Sequence, residues 1–322
     1  MAKKLRIAFI GTGGISRKHL NSITNFKDTE VVGLCDVNRA ILKERQAAYG
    51  GEIFTDPDKM LDKVDADGAV ICLPPFAHGP AEMACIKRNI PFLIEKPVEK
   101  DLAAAKKTLR EIKKRKLVTS VAYQRRYSKT VQAARKYVAK HPLTLVYGGW
   151  LGRTPGGHPW LGQKRLSGGQ TIEQTTHLFD LLRFIAGEAK SVFCYGAKGI
   201  VPRTKKYNSD DATSVVIQMK SGAVANIMSS WSSTGLGVDI TFSGPDITIK
   251  GGEEVQLAGK DKPEKLPAAG DVNKALDRAF VTAIKTGNAS AILCDYEEGV
   301  KSLALSTAAD QSLRTGLPVR IH

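Results

Sequence analysis

The chain has 322 residues, of which 42% are hydrophobic and 25% charged, and these ordinary values exclude wholesale disorder, collagen and a coiled coil. No apolar run reaches the ~20 residues that span a bilayer, and the run at residues 7–10 is too short for a signal peptide. We therefore expect a cytoplasmic protein with no membrane partner. The formal net charge of +16 is unusual and favours attraction of phosphates or other anions.

Strand-like and helix-like segments alternate through the first third of the sequence. The strands are predicted near residues 5–10, 30–35, 53, 68–73, 91–94 and 117–122, and the helices near 15–24, 39–48, 57, 77–88 and 102–116. Strands that are apolar throughout and alternate with helices indicate a parallel sheet covered on both faces. The prediction is a doubly wound α/β domain over residues 1–123.

The helix predicted near residues 102–116 carries seven lysines and arginines on its outer face against one glutamate. We interpret it as a solvated amphipathic helix, because no aromatic residues interleave the basic ones as they do in many nucleic-acid sites. No specific nucleic-acid partner is expected.

The rest of the chain, residues 124–322, has a different pattern. Helices are predicted near residues 129–139, 171–186, 273–285 and 295–315, and a meander of strands runs from residue 143 to residue 250 with a last strand at 319–321. Such a meander indicates an α+β domain with a large, mainly antiparallel sheet. The sequence shows no second layer for one face of this sheet, so we expect that face to pack against another subunit.

The five cysteines are scattered and odd in number, and they include no CxxC pair. We expect buried free thiols and no metal site, because no Cys, His and carboxylate cluster has ligand spacing.

A glycine-rich turn follows the first strand and opens the first helix with the pattern G-x-G-x-x-S, which ends at Ser16. Glycines there let backbone amides approach a pyrophosphate at the positive end of the helix. Serine at the third position adds bulk where the helix and the strand approach closely, but its side chain is small enough to fit there. The predicted cofactor-binding residues of the turn are Gly11, Thr12, Gly13, Gly14 and Ile15.

Asp36 ends the second strand, 23 residues after Gly13. A carboxylate there can accept hydrogen bonds from the ribose hydroxyls of NAD and would repel a 2′-phosphate. The alternative is a turn or helix-capping aspartate before Asn38. Because Arg39 could accept a 2′-phosphate, NAD is preferred and NADP stays open as an alternative cofactor.

Two later strand ends carry Leu73-Pro74-Pro75 with His78, and Glu95-Lys96-Pro97. With the glycine turn and Asp36, in this order and spacing, they resemble the glucose-fructose oxidoreductase, inositol dehydrogenase and MocA-like (Gfo/Idh/MocA) family. The second domain agrees in the segment from Gly168 to Arg183 and in the ending from Gln311 to Val319, so the resemblance covers essentially the whole chain. It implies an NAD-binding Rossmann domain followed by a substrate-binding and oligomerisation domain.

The resemblance also implies roles for individual residues. Lys96 is expected beside the nicotinamide ribose and the reacting hydroxyl, with Pro97 following a cis peptide bond. His177 matches the catalytic histidine of the family, and either His177 or Lys96 would take the hydroxyl proton. Further cofactor contacts are expected from Leu73, Pro74, Pro75, His78, Glu95, Gln124 and Arg126.

Glu173 departs from the more common family pattern, which has an aspartate four residues before the histidine. On one helix, the i, i+4 spacing would place Glu173 and His177 on the same face, so both are expected at the substrate together with Lys96. Asp180 is expected either to position His177 or a neighbouring loop or to touch substrate. Trp160 is expected to form an aromatic platform for a sugar, with Lys164 and Arg165 as nearby cations.

The predicted function is an NAD(P)-dependent oxidoreductase that transfers hydride between the nicotinamide cofactor and a hydroxyl-bearing carbon of a sugar, an inositol-like polyol or a sugar derivative. The alternatives are an NAD-dependent glycosidase that oxidises its substrate transiently, and a non-catalytic NAD-binding sensor or scaffold. The family resemblance implies a homodimer or a homotetramer.

Overall fold

The computed structural model describes residues 3–153, 158, 160–234, 237–245, 247–251, 255–258 and 268–321. The contacts of the chain define two compact units. Unit 1 contains residues 1–124 and 271–300, and unit 2 contains residues 125–270 and 301–322. The domain boundaries predicted from the sequence differ from this division, because they assign residues 271–300 to the second domain.

Unit 1 is built on a six-stranded sheet in the order β3-β2-β1-β4-β5-β6, in which every strand pair is parallel. Its strands are β1 (Leu5–Ile10), β2 (Thr29–Cys35), β3 (Glu52–Phe54), β4 (Gly68–Ile71), β5 (Phe92–Ile94) and β6 (Thr119–Val121). The strands β4, β5 and β6 are buried along their whole length, as their continuous apolar or small residues require when both faces are covered. This arrangement confirms the doubly wound prediction.

Helices connect the strands of unit 1 and continue through the second half of the chain. In chain order they are α1 (Ser16–Asn25), α2 (Arg39–Tyr49), α3 (Pro57–Lys63), α4 (Pro80–Lys87), α5 (Leu102–Arg115), α6 (Lys129–Val138), α7 (Lys164–Ser167), α8 (Gln170–Glu173), α9 (Thr176–Ala186), α10 (Val272–Thr286) and α11 (Tyr296–Thr315). Several begin at a side chain that accepts a hydrogen bond from the first turn, namely Asn38, Asp56, Asp101, Ser128 and Asp271.

Helix α10 explains why residues 271–300 group with unit 1. Leu276 and Phe280 on its apolar face are fully buried, and α10 packs against α1. Gly68 at the start of β4 makes room for it, because a Cβ at Gly68 would lie 2.6 Å from the side chain of Ile284. Sequence periodicity predicts the helix but does not indicate which sheet it covers.

Unit 2 contains an eight-stranded sheet in the order β13-β12-β11-β7-β10-β9-β8-β14, with one parallel pair, β10 and β7, among antiparallel pairs. Its strands are β7 (Leu145–Leu151), β8 (Ala189–Ala197), β9 (Ala212–Met219), β10 (Val224–Ser230), β11 (Gly237–Gly244), β12 (Ile247–Gly251), β13 (Val255–Ala258) and β14 (Val319–Arg320). The prediction of a mainly antiparallel sheet is confirmed. Strand β13 is not predicted from the sequence.

Alternation along the central strands of this sheet separates a core face from an open face. On β7 and β9, Val146 and Ile217 are fully buried, whereas their neighbours Tyr147 and Val216 are exposed. Among the residues that the structure describes, no helix is long and apolar enough to cross a membrane.

Candidate functional site

The carboxyl edge of the parallel sheet in unit 1 gathers most of the predicted cofactor-binding residues. Because β1, β2, β4 and β5 are parallel, the residues that follow them lie along one edge, where ligands of open α/β sheets bind. The residues at this edge are Gly11, Thr12, Gly13, Gly14, Ile15, Asp36, Leu73, Pro74, Pro75, Glu95 and Lys96.

The turn after β1 is shaped to admit a phosphate group. Gly11 has φ +87°, and a Cβ there would lie 2.3 Å from the carbonyl oxygen of Cys72, so only glycine fits. A Cβ at Gly13 or Gly14 would meet no atom within 4 Å, so the outer surface of the turn is open. Ser16 is fully buried, and its hydroxyl donates to the carbonyl of Gly13 over 2.7 Å, which explains how this position accepts serine.

Asp36 is bound to the backbone on both sides. Its Oδ2 accepts from the Thr12 amide over 2.7 Å, and its Oδ1 accepts from the Asn38 amide over 2.9 Å. The turn-capping role and the ribose-binding role are compatible, because an ionised carboxylate has about four acceptor sites. With the open turn beside it, this geometry fits the pyrophosphate and ribose of NAD.

Two residues near this turn add detail to the sequence analysis. Arg45 on α2 is buried and its Nε donates to the carbonyl of Thr12 over 3.2 Å, a support for the turn that sequence analysis missed. Arg39 is exposed at the first position of α2 and, with Lys59, lines a cavity of about 260 Å³. Its contact with a 2′-phosphate stays a prediction.

Both ring nitrogens of His78 have partners within unit 1, and its predicted contact with the cofactor stays a prediction. Its side chain is buried, its Nδ1 lies 3.0 Å from the carbonyl oxygen of Val98 and its Nε2 lies 2.9 Å from that of Leu73. Both nitrogens are used within unit 1, so His78 connects two loops of the edge.

Lys96 is half-buried directly after β5, and the peptide bond between Lys96 and Pro97 is cis, as the resemblance implies. The Lys96 amide donates to Oε2 of the buried Glu95 over 3.1 Å. Burial raises the pKa of Glu95, but the hydrogen bond and charge of His19 and the charge of Lys96 outweigh it, so that pKa is lowered. Glu95 is thus held as an anion beside the lysine.

In unit 2, the predicted single helix over 171–186 is wrong at its beginning. Helix α8 ends at Glu173 and α9 begins at Thr176, because the amide of Thr175 bonds back to the carbonyl of Gln170 and that of His177 to Gln174. The i, i+4 argument for a shared helical face therefore does not apply. Glu173 and His177 are nevertheless both buried, on either side of this break.

Trp150, which sequence analysis missed, is an aromatic partner of His177. The two rings are stacked with centroids 5.8 Å apart, and Trp150 comes from β7, where strand alternation puts it on the core face. Trp160 is half-buried, with its ring 6.4 Å from that of His158, and its substrate contact stays a prediction. Lys164 is not free for a substrate, because its Nζ lies 2.6 Å from Asp210 and 2.8 Å from Asp310.

Arg126 is buried in unit 2, and its contact with the cofactor stays a prediction. Its guanidinium is 2% exposed and donates through Nε and Nη2 to both carboxylate oxygens of Asp180, over 2.9 and 2.7 Å. Asp180 also accepts a hydrogen bond from the hydroxyl of Ser302 over 2.7 Å, and its predicted role beside His177 or the substrate stays a prediction. Gln124 is half-buried at the start of a short 3-10 helix, and its cofactor contact stays a prediction.

The described ranges contain no group of three or more His, Cys, Asp and Glu side chains that could hold a metal ion. All five cysteines are buried and free, as expected. Burial, together with the negative charge of the neighbouring Asp36, raises the pKa of Cys35 to about 12. This thiol is therefore neutral at physiological pH.

Comparison with known proteins identifies the family. Residues 5–123 match the "Oxidoreductase family, NAD-binding Rossmann fold", and residues 142–250 match the "GFO/IDH/MocA C-terminal domain". The chain is 27% identical to the myo-inositol 2-dehydrogenase of Thermotoga maritima over 69% of this chain and 67% of that protein. It is 24% identical to the inositol 2-dehydrogenase of Rhizobium meliloti over 96% and 97% of the two chains.

Solved structures show the same fold. The WlbA dehydrogenase from Bordetella pertussis, in complex with NADH and UDP-GlcNAcA, matches with a TM-score of 0.86 at 23% identity and covers 100% of this chain and 99% of that one. The open glycine turn, the carboxylate at the end of β2 and the two family matches lead to one conclusion: the chain belongs to the GFO/IDH/MocA family of NAD-binding oxidoreductases.

Proposed function

We propose that this protein is a dehydrogenase that transfers hydride between NAD and a hydroxyl-bearing carbon of a sugar, an inositol-like cyclic polyol or a sugar derivative. The observation that carries the proposal is Lys96, a half-buried lysine next to the buried Glu95, at the sheet edge that also holds the open glycine turn. The inositol dehydrogenase activity in the names of two relatives supports the substrate class.

When bound, NAD supplies the acceptor for the hydride that leaves the substrate carbon. The ammonium group of Lys96 stabilises the negative charge that develops on the substrate oxygen. Either the imidazole of His177 or the amine of Lys96 takes the hydroxyl proton, since both groups can act as general bases. Glu173 orients a substrate hydroxyl, and Trp150 holds the His177 ring in place.

The test combines purified protein and NAD with inositols, aldoses, sugar acids and nucleotide sugars, and follows NADH formation. We expect turnover with one class, and a fall in kcat of about 10²- to 10⁴-fold in Lys96→Ala, the range typical of a lost acid–base group. The matched control is Lys87→Ala, which removes an exposed lysine on α4 and should leave kcat unchanged.

Other outcomes would contradict the proposal in distinct ways. Glycoside cleavage that depends on bound NAD but releases no NADH would indicate the NAD-dependent glycosidase. Binding of NAD without conversion of any compound would indicate the sensor or scaffold.

We further propose that a second copy of the chain covers the open face of the sheet in unit 2. The residues of β7, β10, β9 and β8 that pair in register on this face are uncharged, and the exposed Lys190 lies at the bulge of β8. The paired residues are Leu145, Tyr147, Val224, Asn226, Met228, Ser214, Val216, Gln218, Ser191, Phe193 and Tyr195. A face whose central strands pair uncharged polar and apolar residues suits a two-fold interface, in which the same surface must meet itself without repulsion.

A further inference from the structure

Unit 1 contains two buried histidines that the proposed chemistry does not use. His19 lies on α1 and is 2% exposed, and His78 lies between the 3-10 turn Pro75–Ala77 and α4 and is 5% exposed. Each ring is placed between two acceptors.

His19 faces a carboxylate on each side of its ring. Its Nδ1 lies 2.6 Å from Oδ1 of Asp277 on α10, and its Nε2 lies 3.4 Å from Oε1 of Glu95. Ionised carboxylates only accept hydrogen bonds, so a ring that carries a proton on both nitrogens satisfies both partners. Burial lowers the pKa of His19, but the charges and hydrogen bonds of Asp277 and Glu95 outweigh it and raise that pKa to about 10.

His78 faces two backbone carbonyls, those of Val98 and Leu73, at 3.0 and 2.9 Å. Carbonyl oxygens cannot donate, so both nitrogens of this ring must carry protons. Glu82 balances the charge, with Oε1 3.4 Å from Nδ1. Burial lowers the pKa of His78, but the charge of Glu82 and the two carbonyls outweigh it and raise that pKa to about 9.

The two rings contact opposite flanks of the segment that carries Lys96. His19 holds Glu95, whose Oε2 accepts the Lys96 amide over 3.1 Å, and His78 holds the carbonyl of Val98, two residues beyond Lys96. Glu95, Pro97 and Val98 are all buried, so small shifts of either flank move the lysine.

We propose that His19 and His78, each as a doubly protonated ring, are positioning residues that fix Lys96 from both sides. Asp277 and Glu82 are their counter-ions. The proposal rests on the function proposed above for Lys96.

Asparagine and glutamine variants offer a crossed test of this proposal, in which the amide that keeps the important contact at one histidine is the one that loses it at the other. The amide nitrogen of asparagine replaces Nδ1 of histidine, and that of glutamine replaces Nε2, so each variant keeps one of the two contacts. His19→Gln keeps the hydrogen bond to Glu95, whereas His19→Asn loses it. His78→Asn keeps the hydrogen bond to the carbonyl of Val98, whereas His78→Gln loses it.

The expected order of activity is therefore opposite at the two positions. His19→Gln should exceed His19→Asn in kcat, and His78→Asn should exceed His78→Gln, each by about tenfold or more, with a smaller change in the Kd for NADH. The same order at both positions, or losses that follow thermal stability alone, would overturn the proposal.

Two further measurements need no substrate. Acetylation of lysines, followed by mass spectrometry, should show a changed rate at Lys96 in His19→Asn and His78→Gln and unchanged rates at Lys87 in all four variants. Nitrogen-15 NMR of the six histidines should show two rings protonated on both nitrogens at neutral pH and above. Neutral rings at His19 and His78 would overturn the proposal even if a variant failed to fold.

Lys96→Ala distinguishes this inference from the proposed function. If Lys96→Ala retains full turnover, the role of Lys96 is wrong. If it loses turnover while the four variants show no crossed order, only the positioning role is wrong.

Discussion

At the scale of single residues, the buried histidines show that the surrounding groups determine what a histidine side chain contacts. His19, His78 and His177 are all buried, but His19 contacts carboxylates, His78 contacts carbonyls and His177 stacks on Trp150. Sequence analysis assigned His177 and His78 from motif spacing and passed over His19. Its position three residues after Ser16, on the face of α1 with Leu20 and Ile23, was the available signal.

The two charged rings predict a pH-dependent stability. Their pKa values in the folded protein, about 10 for His19 and about 9 for His78, lie above the ordinary value of 6.5. The stabilisation is therefore fully present below pH 6.5 and is lost as pH rises through the folded values. We expect the free energy of unfolding to fall between pH 6.5 and about 9, by up to about 1.4 kcal/mol per pH unit for each ring.

Urea unfolding across this pH window measures the effect. The titratable groups that face the rings are Asp277 and Glu95 around His19, and Glu82 and Glu99 around His78. His19→Gln should make the pH dependence shallower, because its amide does not titrate. An identical slope in the variant and the wild type would contradict the assignment of a charged ring.

At the scale of elements, the segment around α9 departs most from its sequence pattern. The helical periodicity of residues 171–186 is real, but the chain interrupts it between Glu173 and Thr176. The Gln174 side chain at this break accepts a hydrogen bond from the buried Trp231 over 2.8 Å. A tertiary contact of this kind leaves no trace in local periodicity.

Helix α9 is held by a buried ion pair, which gives a second stability prediction. Asp180 accepts two hydrogen bonds from Arg126 and one from Ser302 on α11. Arg126→Met should lower the free energy of unfolding by about 3–5 kcal/mol, because it leaves a buried carboxylate without its cation. Urea denaturation measures the loss.

An exposed ion pair provides the control for this variant. Lys114 and Glu111 on α5 form a pair that is largely open to solvent. Lys114→Met should leave the unfolding transition almost unchanged, since exposed pairs contribute little. An equally small effect of Arg126→Met would show that the buried pair does not stabilise unit 2.

At the scale of the whole molecule, the open face of the sheet in unit 2 carries exposed apolar side chains that have no assigned contact within the part of the chain that the structure describes. Tyr147 and Val216 lie on this face and are each 44% exposed. Replacing both with glutamate should separate the proposed oligomer, because a two-fold axis brings the new charges close together. The molar mass from light scattering should fall at least twofold.

Leu317→Glu is the matched control, since Leu317 is exposed outside the strands of this face. It should leave the molar mass unchanged. A wild-type protein that elutes as a monomer would contradict the proposal directly.

The amino-acid sequence by itself determined the parallel sheet, the mainly antiparallel sheet, the glycine turn and the placement of Asp36 and Lys96 at the carboxyl edge of the parallel sheet. These features depend on local information: strand and helix periodicity, turn glycines, and motif order along the chain. Only the tertiary structure decided that α10 completes unit 1, that Arg126 is committed to Asp180, and that His78 holds two carbonyls. Those outcomes depend on which distant groups meet in the folded chain, where burial requires every charge and donor to find a partner.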